Sequence, residues 1–388
     1  MLTLITNART FAPQPLGTVQ VLIAGDRIAA VDERVDLSGS ELRIVDADNG
    51  IVVPGIVDAL THPCGGGGEG GFQNRTPEID FAGFVNAGVT SPIGALGTDS
   101  VARSLDVLYG HVMSLRAQGL GAYMYTGSYR IAPTTLTGDI ARDITHIDPV
   151  IGVGEIAISD HRSSQPTIDE LRRTAADCRL GGIIAGTGGT TLVHVGDGGS
   201  RLAPLRAALE GCDLPAGCFY PTHVNRNREL LDEAIEFSNR GASIDITVST
   251  VPEFVELGEV PALQALADVL EAGVSPDRVT FSSDAGGSLP VYRNGELQGL
   301  TAAPPTALLK LLQQVLRTQP DLATFVIAAM TCNPAAALNI ASKGRIAPGR
   351  DADLLVLRSD SFALSDVFCR GRCLMRNGNI NIHSTDGG

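Results

Sequence analysis

The sequence predicts an α/β protein built as a (β/α)8 TIM barrel with a small β-sandwich domain formed by the two chain ends. Three observations predict it. A length of 388 residues suits one large barrel with an appended module. About eight short apolar runs recur between residues 56 and 284, separated by helix-length stretches. Short β-rich segments bounded by Gly, Pro and Asp turns stand at the start and again at the end.

The first part, residues 1–54, contains strand-like Leu2–Thr6, Val19–Ala24, Arg27–Val31 and Arg43–Asp46. After Pro54-Gly55 the rhythm changes. Residues 55–342 carry the apolar runs Ile56–His62, Val89–Gly94, Ala122–Gly127, Val150–Ile158, Thr191–Val195, Phe219–Val224, Ala242–Val248 and Val279–Asp284. These are the expected barrel strands. Between them Thr167–Leu180, Arg228–Arg240 and Val260–Ala272 are rich in Leu, Ala, Glu and Arg at helical spacing and end near Gly, as outer helices do. The Gly-rich stretches 65–71 and 181–189 read as loops, and neither carries a phosphate-binding fingerprint. Residues 343–388 begin with KGRIAPGRDADLLVL, a turn followed by a buried strand, and complete the small domain.

Composition narrows the classes of function. A net charge of -14 argues against nucleic acid, whose phosphates require clustered Lys and Arg. No apolar run approaches the roughly 20 residues needed to span a bilayer, so no membrane partner is expected. The opening MLTLITNARTFAPQ lacks the features of a secretory signal, and seven Cys with no CxxC pair read as reduced thiols; a cytoplasmic location is the expectation.

Active sites of barrels gather at the C-terminal ends of the strands, so polar residues at those ends are the informative ones. The first expected strand ends at His62, the fourth carries Glu155, the fifth ends at His194, the sixth at His223 and the eighth at Asp284. Taken singly, a strand-end His reads as hydrogen-bonded structure. Convergence of five such residues favours a metal site, and imidazole with carboxylate suits zinc or a similar first-row metal. His111, His146, His161 and His383 stand in helical, loop or tail contexts and read as structural.

The segments PGIVDALTHPCGGGGE, LGTDS, TGSY, GVGEIAISDHRS, VHVGD, PTHVNRN, SSDAGGS and GRIAPGRDADLLV together resemble isoaspartyl dipeptidase of the amidohydrolase superfamily, over almost the whole chain. The last segment is shared by many amidohydrolases, whereas DHRS and THVNRN are specific to the dipeptidase. The resemblance implies a binuclear zinc site. His194 and His223 would hold one metal, and Asp284 with an H-x-H pair on the first strand the other. Glu155 falls where the family often has a bridging carboxylated lysine, and a glutamate can serve as a shorter anionic bridge. The H-x-H pair reads Leu60-Thr61-His62 here, so its first ligand is lost. One tightly bound zinc at Glu155, His194 and His223 is therefore expected, with the second position, near His62 and Asp284, empty or filled only at high metal concentration. Cys64 reads either as a substitute thiolate or, by preference, as a small apolar residue.

The same resemblance implies a small zwitterionic β-aspartyl dipeptide as substrate and a homo-oligomer as the assembly. Glu69, helped by the Gly67 backbone, would accept the α-ammonium; Arg162 and Arg226 would receive carboxylates, with Thr98 and Ser288 adding hydrogen bonds. Metal-activated water would cleave the β-carboxamide bond, with Asp284 moving the proton and Tyr129 steadying the oxyanion. Two other readings stand beside this one. The first is an amidohydrolase for a cyclic or N-acyl amide, disfavoured by Glu69 and the two arginines. The second is a catalytically silent paralogue, for which Leu60 is the main support.

Overall fold

The computed structural model describes residues 2–37, 42–293 and 296–381. Its eight barrel strands are β6 (Ile56–Thr61), β7 (Val89–Gly94), β8 (Tyr123–Thr126), β9 (Val150–Ile158), β10 (Thr190–Val195), β11 (Phe219–Thr222), β12 (Ile244–Thr247) and β13 (Val279–Ser282). Six of them, β6 to β11, pair in parallel in chain order, and β12 pairs in parallel with β13. The curl closes where Thr61 bridges Ala285 in parallel and where Val224 N donates to Asp245 O. Every residue of these strands is buried except the half-buried Tyr123, as expected of strands covered by helices outside and side chains inside.

Strands from both ends of the chain form a second β-rich unit. These are β1 (Leu2–Phe11), β2 (Pro15–Ala24), β3 (Arg27–Asp32), β4 (Leu42–Asp46), β5 (Ile51–Pro54), β16 (Leu354–Leu357), β17 (Leu364–Cys369), β18 (Arg372–Arg376) and β19 (Asn379–Ile380). They hydrogen-bond as one nine-stranded sheet in which β5 lies between β1 and β16. Its core gathers Ile5, Val21, Ile23, Ile28, Val52, Leu354, Val356 and Phe368. Buried Lys343 joins the unit by ion pairs of 2.9 and 2.7 Å to Asp351 and Asp353.

Two elements depart from the sequence expectation. The helix expected over Thr167–Leu180 runs from Ile168 to Ala185, so Gly181 and Gly182 are helical and not loop. It starts on a Thr167/Glu170 capping box. A Cβ on Gly182 would lie 2.5 Å from the Gly189 Cα, so close chain approach, not flexibility, requires glycine there. The second is a hairpin of β14 (Ser288–Arg293) and β15 (Glu296–Ala302), which follows β13 and overhangs the strand ends. His383 lies outside the described residues.

Candidate metal centre and substrate cavity

Glu155, His194 and His223 project from β9, β10 and the end of β11, and each offers a ligand atom within 4.8 Å of the others. All three are buried. His194 Nδ1 lies 2.8 Å from Glu155 Oε1, and His223 Nε2 lies 3.3 Å from the same oxygen. The other nitrogen of each ring is engaged elsewhere: His194 Nε2 with Asp160 Oδ2 at 3.0 Å, His223 Nδ1 with Thr247 Oγ1 at 2.6 Å. Such outer partners fix a ring's tautomer and turn its free nitrogen towards the centre. Burial pushes the His223 imidazole down to about 4, keeping its lone pair available for a cation. Burial would raise the Glu155 carboxyl, but hydrogen bonds from His194 and His223 outweigh it and hold Glu155 well below the usual range. Glu155 Oε2 is buried with no hydrogen-bond partner. Two imidazoles, an anionic carboxylate and an orphaned oxygen fit one divalent metal.

The neighbouring group is built differently. His62 Nδ1 donates to Ala95 O at 3.1 Å and Nε2 to Asp284 Oδ1 at 3.0 Å, so both ring nitrogens face acceptors. Burial opposes the charge, yet the Asp284 hydrogen bond and charge raise this imidazole to about 9. Its Nε2 also lies 3.7 Å from Glu155 Oε2. Leu60, two residues earlier on the same face of β6, is fully buried among Ile93, Tyr125, Leu192 and Tyr220. No lone pair reaches the centre from that position. Cys64 supplies none either: it packs in the main apolar core, and burial raises its thiol.

Backbone geometry marks the same places. His223 and Asp284 hold left-handed conformations, with φ of 61° and 53°. Such residues are uncommon and collect at functional sites. Asp284 is kept there by its neighbours: Asp58 Oδ1 accepts from Ser283 N at 3.0 Å, and Ser283 Oγ accepts from Ala285 N at 3.0 Å. Deeper in the barrel Asp245 accepts from Thr222, Thr280 and Ser282 hydroxyls, and burial raises its carboxyl to about 6.

A cavity of about 760 Å3 opens over the centre, lined by Glu69, Arg162, His223, Arg226, Asp284 and Ser288 together with Leu289, Tyr292 and Leu300 of the hairpin. Glu69 Oε1 accepts from Thr98 Oγ1 and Arg162 Nη1, each at 2.9 Å, while its Oε2 is buried without a partner. Thr98 thus orients Glu69. Arg162 is also bound by Asp160, whose Oδ1 accepts from Arg162 Nε at 2.9 Å and whose Oδ2 accepts from Nη2 at 2.7 Å. Arg226 is freer, its Nε buried and unpartnered. Gly67 and Ser288 line a smaller pocket of about 40 Å3 beside His62, Tyr129 and His194, which shares Arg162, Arg226, Asp284 and Ser288 with the cavity. The Tyr129 hydroxyl sits 2.8 Å from His194 Nδ1, and burial raises that phenol well above its ordinary range, so it stays protonated.

The structure therefore brings together Glu69, Gly67, Thr98, Tyr129, Glu155, Arg162, His194, His223, Arg226, Asp284, Ser288 and His62. Reasoning from sequence missed Asp160, Thr247 and Asp58, which touch the ligand set or its flanking backbone. Asp160 stands inside the DHRS segment, which was the available signal.

Comparison with known proteins identifies the family. The Amidohydrolase family matches residues 200–374. The β-aspartyl dipeptidase of Fervidobacterium islandicum AW-1, solved with a β-Asp-Leu dipeptide, is 40% identical, covers 100% of both chains and superposes with a TM-score of 0.90. Dihydropyrimidinase of Brevibacillus agri NCHU1002 shares the fold at 16% identity, a TM-score of 0.65 and coverage of 99% of this chain and 97% of its own. Adenine deaminase 1 of Latilactobacillus sakei subsp. sakei (strain 23K) is 22% identical over 373 residues, which are 93% of this chain, and the chain spans only 55% of that relative's length. With full-length identity of 40% to a solved member, the chain belongs to the β-aspartyl dipeptidase family of the amidohydrolases.

Proposed function

We propose that the protein hydrolyses the β-aspartyl peptide bond of dipeptides with one divalent metal, zinc by its ligand chemistry, held by Glu155, His194 and His223. One observation carries the substrate reading. Glu69 Oε2 and Arg226 Nε, an anionic acceptor and a cationic donor, are both buried and unpartnered, and the residues that carry them both line the cavity over Glu155, His194 and His223. Leaving such groups unsatisfied costs several kcal/mol in sum, at roughly 1–3 kcal/mol each or more for charged ones, which a small zwitterion would recover. The solved relative's β-Asp-Leu ligand has that chemistry.

In this reading Glu69 receives the α-ammonium and Arg226 a carboxylate, while Arg162, already tied to Asp160 and Glu69, shapes that end of the cavity and adds its remaining N–H. Ser288 and the Gly67 backbone border the bound dipeptide. The metal, when bound, supplies Lewis acidity to the amide carbonyl and lowers the pKa of water. Asp284, at the mouth and 3.0 Å from His62, takes a proton at its carboxylate and returns it to the leaving amine. Tyr129, protonated beside His194, donates to the oxygen on which charge develops. We also propose residues 1–54 and 343–388 as one domain around the barrel of 55–342.

The test is a panel of β-aspartyl dipeptides with Arg226→Met. A rise in KM of about 10-fold or more, or loss of turnover, with metal content unchanged is the expected result, since charged hydrogen bonds contribute about 1.5–3 kcal/mol. Loss of metal in parallel with turnover would place Arg226 among supports of the centre and remove its assigned role.

A further inference from the structure

We propose that Asp160 is a positioning residue that fixes His194 and Arg162 at once, so that metal affinity and the shape of the substrate cavity are coupled through one carboxylate. Part of this rests on the β-aspartyl dipeptidase reading above, and the metal arm does not. Asp160 follows β9 by two residues and is 4% exposed. Both of its oxygens are used. Oδ1 accepts from Arg162 N at 2.8 Å and Arg162 Nε at 2.9 Å; Oδ2 accepts from Arg162 Nη2 at 2.7 Å and lies 3.0 Å from His194 Nε2.

The consequences follow from donor and acceptor bookkeeping. An ionised carboxylate only accepts, so Asp160 holds a proton on His194 Nε2, and Nδ1, the nitrogen that faces Glu155, is the one that would give up its proton to a metal. Carboxylates behind metal-binding histidines raise ligand basicity, and their loss typically weakens metal binding about 10–100-fold. Arg162 in turn is held as a bidentate fork, and it passes the constraint on to Glu69 through Nη1. The chain of contacts His194, Asp160, Arg162, Glu69 thus runs from the metal ligands to the ammonium acceptor without a gap. Rotation of the Asp160 carboxylate by any route disturbs both ends.

Two variants test this, with zinc affinity read on apo-protein by competition with a chromogenic chelator and steady-state kinetics read at saturating zinc. Asp160→Asn keeps the volume but turns one acceptor into a donor facing His194 or Arg162. A 10–100-fold weaker zinc site is expected, together with a KM for β-Asp-Leu raised by about 5-fold or more. A zinc affinity within about 3-fold of the wild type, below the range expected for such partners, would overturn the link to His194. An unchanged KM would overturn the link to the cavity.

Arg162→Met separates positioning from charge and remains informative if Asp160→Asn does not fold. Removing a cation near a bound cation strengthens zinc binding if Arg162 acts through its field alone. Freeing the Asp160 carboxylate weakens it, by about 5-fold if the coupling has the usual size. A tighter zinc site in this variant therefore rejects the proposal. If wild-type protein turns over no β-aspartyl dipeptide, the functional reading fails, while the two zinc measurements still decide the role of Asp160.

Discussion

The two halves of the centre lie within 4 Å of each other and are held by different physics. Around Glu155, His194 and His223 each imidazole has one nitrogen occupied by an outer partner and the other turned inward. Around His62 and Asp284 both imidazole nitrogens are spent on acceptors, and the residue that would complete the set is an apolar side chain in an apolar cluster. The first half offers three ligand atoms to one point; the second holds His62 against Asp284, 3.0 Å away.

The largest effect expected is at the first half. Glu155→Ala removes the anion shared by both rings, so metal content should fall to background and kcat/KM by at least about 1,000-fold, the several kcal/mol that a catalytic metal supplies. Metal retained at wild-type stoichiometry would show that the comparison is drawn in the wrong place.

Beneath both halves lies Asp245, whose folded carboxyl is raised by burial to about 6 against an ordinary 3.8. A raised folded pKa means the native state holds the proton more tightly than the unfolded chain. Stability from this group is therefore full below the unfolded value and is lost as pH rises from about 4 through about 6, on the order of 3 kcal/mol. Denaturant titrations at pH 4.5 and 7 should show that Asp245→Asn loses less stability over this interval than the wild type. Parallel pH dependences in the two proteins would contradict it.

Leu60→His examines the second half directly. The imidazole enters a cluster with Tyr125, Leu192 and Tyr220, at a cost of about 1–3 kcal/mol for a poorly satisfied buried polar group. The melting temperature should drop, and metal stoichiometry should stay at one. Two metals resistant to dialysis in this variant would mean the pocket had kept its outer site. The smallest effect is an expected null: zinc reconstitution of apo-protein should not respond to bicarbonate, because Glu155 is a carboxylate already and no carbamate has to form. A bicarbonate requirement would transfer the role of Glu155 to a modified lysine.

The barrel and the convergence of Glu155, His194 and His223 were legible because both follow simple rules. Eight apolar runs at helix-spaced intervals have few other solutions, and side chains at strand ends converge whatever lies between them. Less was legible where geometry depends on contacts far along the chain. The left-handed backbone at His223 and Asp284 has no mark in their residue types. Thr98 and Arg162 bear on Glu69 as well as on the cavity, which only the folded distances of 2.9 Å show. Gly181-Gly182 reads as loop by composition and is helix by packing. The hairpin had a usable signal in Asn294-Gly295 between β-rich runs, a turn dipeptide whose significance lies in the strands on either side.

The place of β5 between β1 and β16 bears on the order in which the molecule is made. Residues 51–54 leave the ribosome about 300 residues before their antiparallel partner, residues 354–357. Throughout that interval one edge of the strand Ile51–Pro54, which is apolar and buried on completion, lacks its neighbour. Contacts of such sequence separation form late and slow folding, and an unpaired apolar edge invites association with other chains. The barrel can collapse on the emerging chain, but the sheet beside it is finished only after residues 354–380 have emerged. Nascent chains stalled within the barrel region should for that reason depend more on chaperones than chains released from the ribosome.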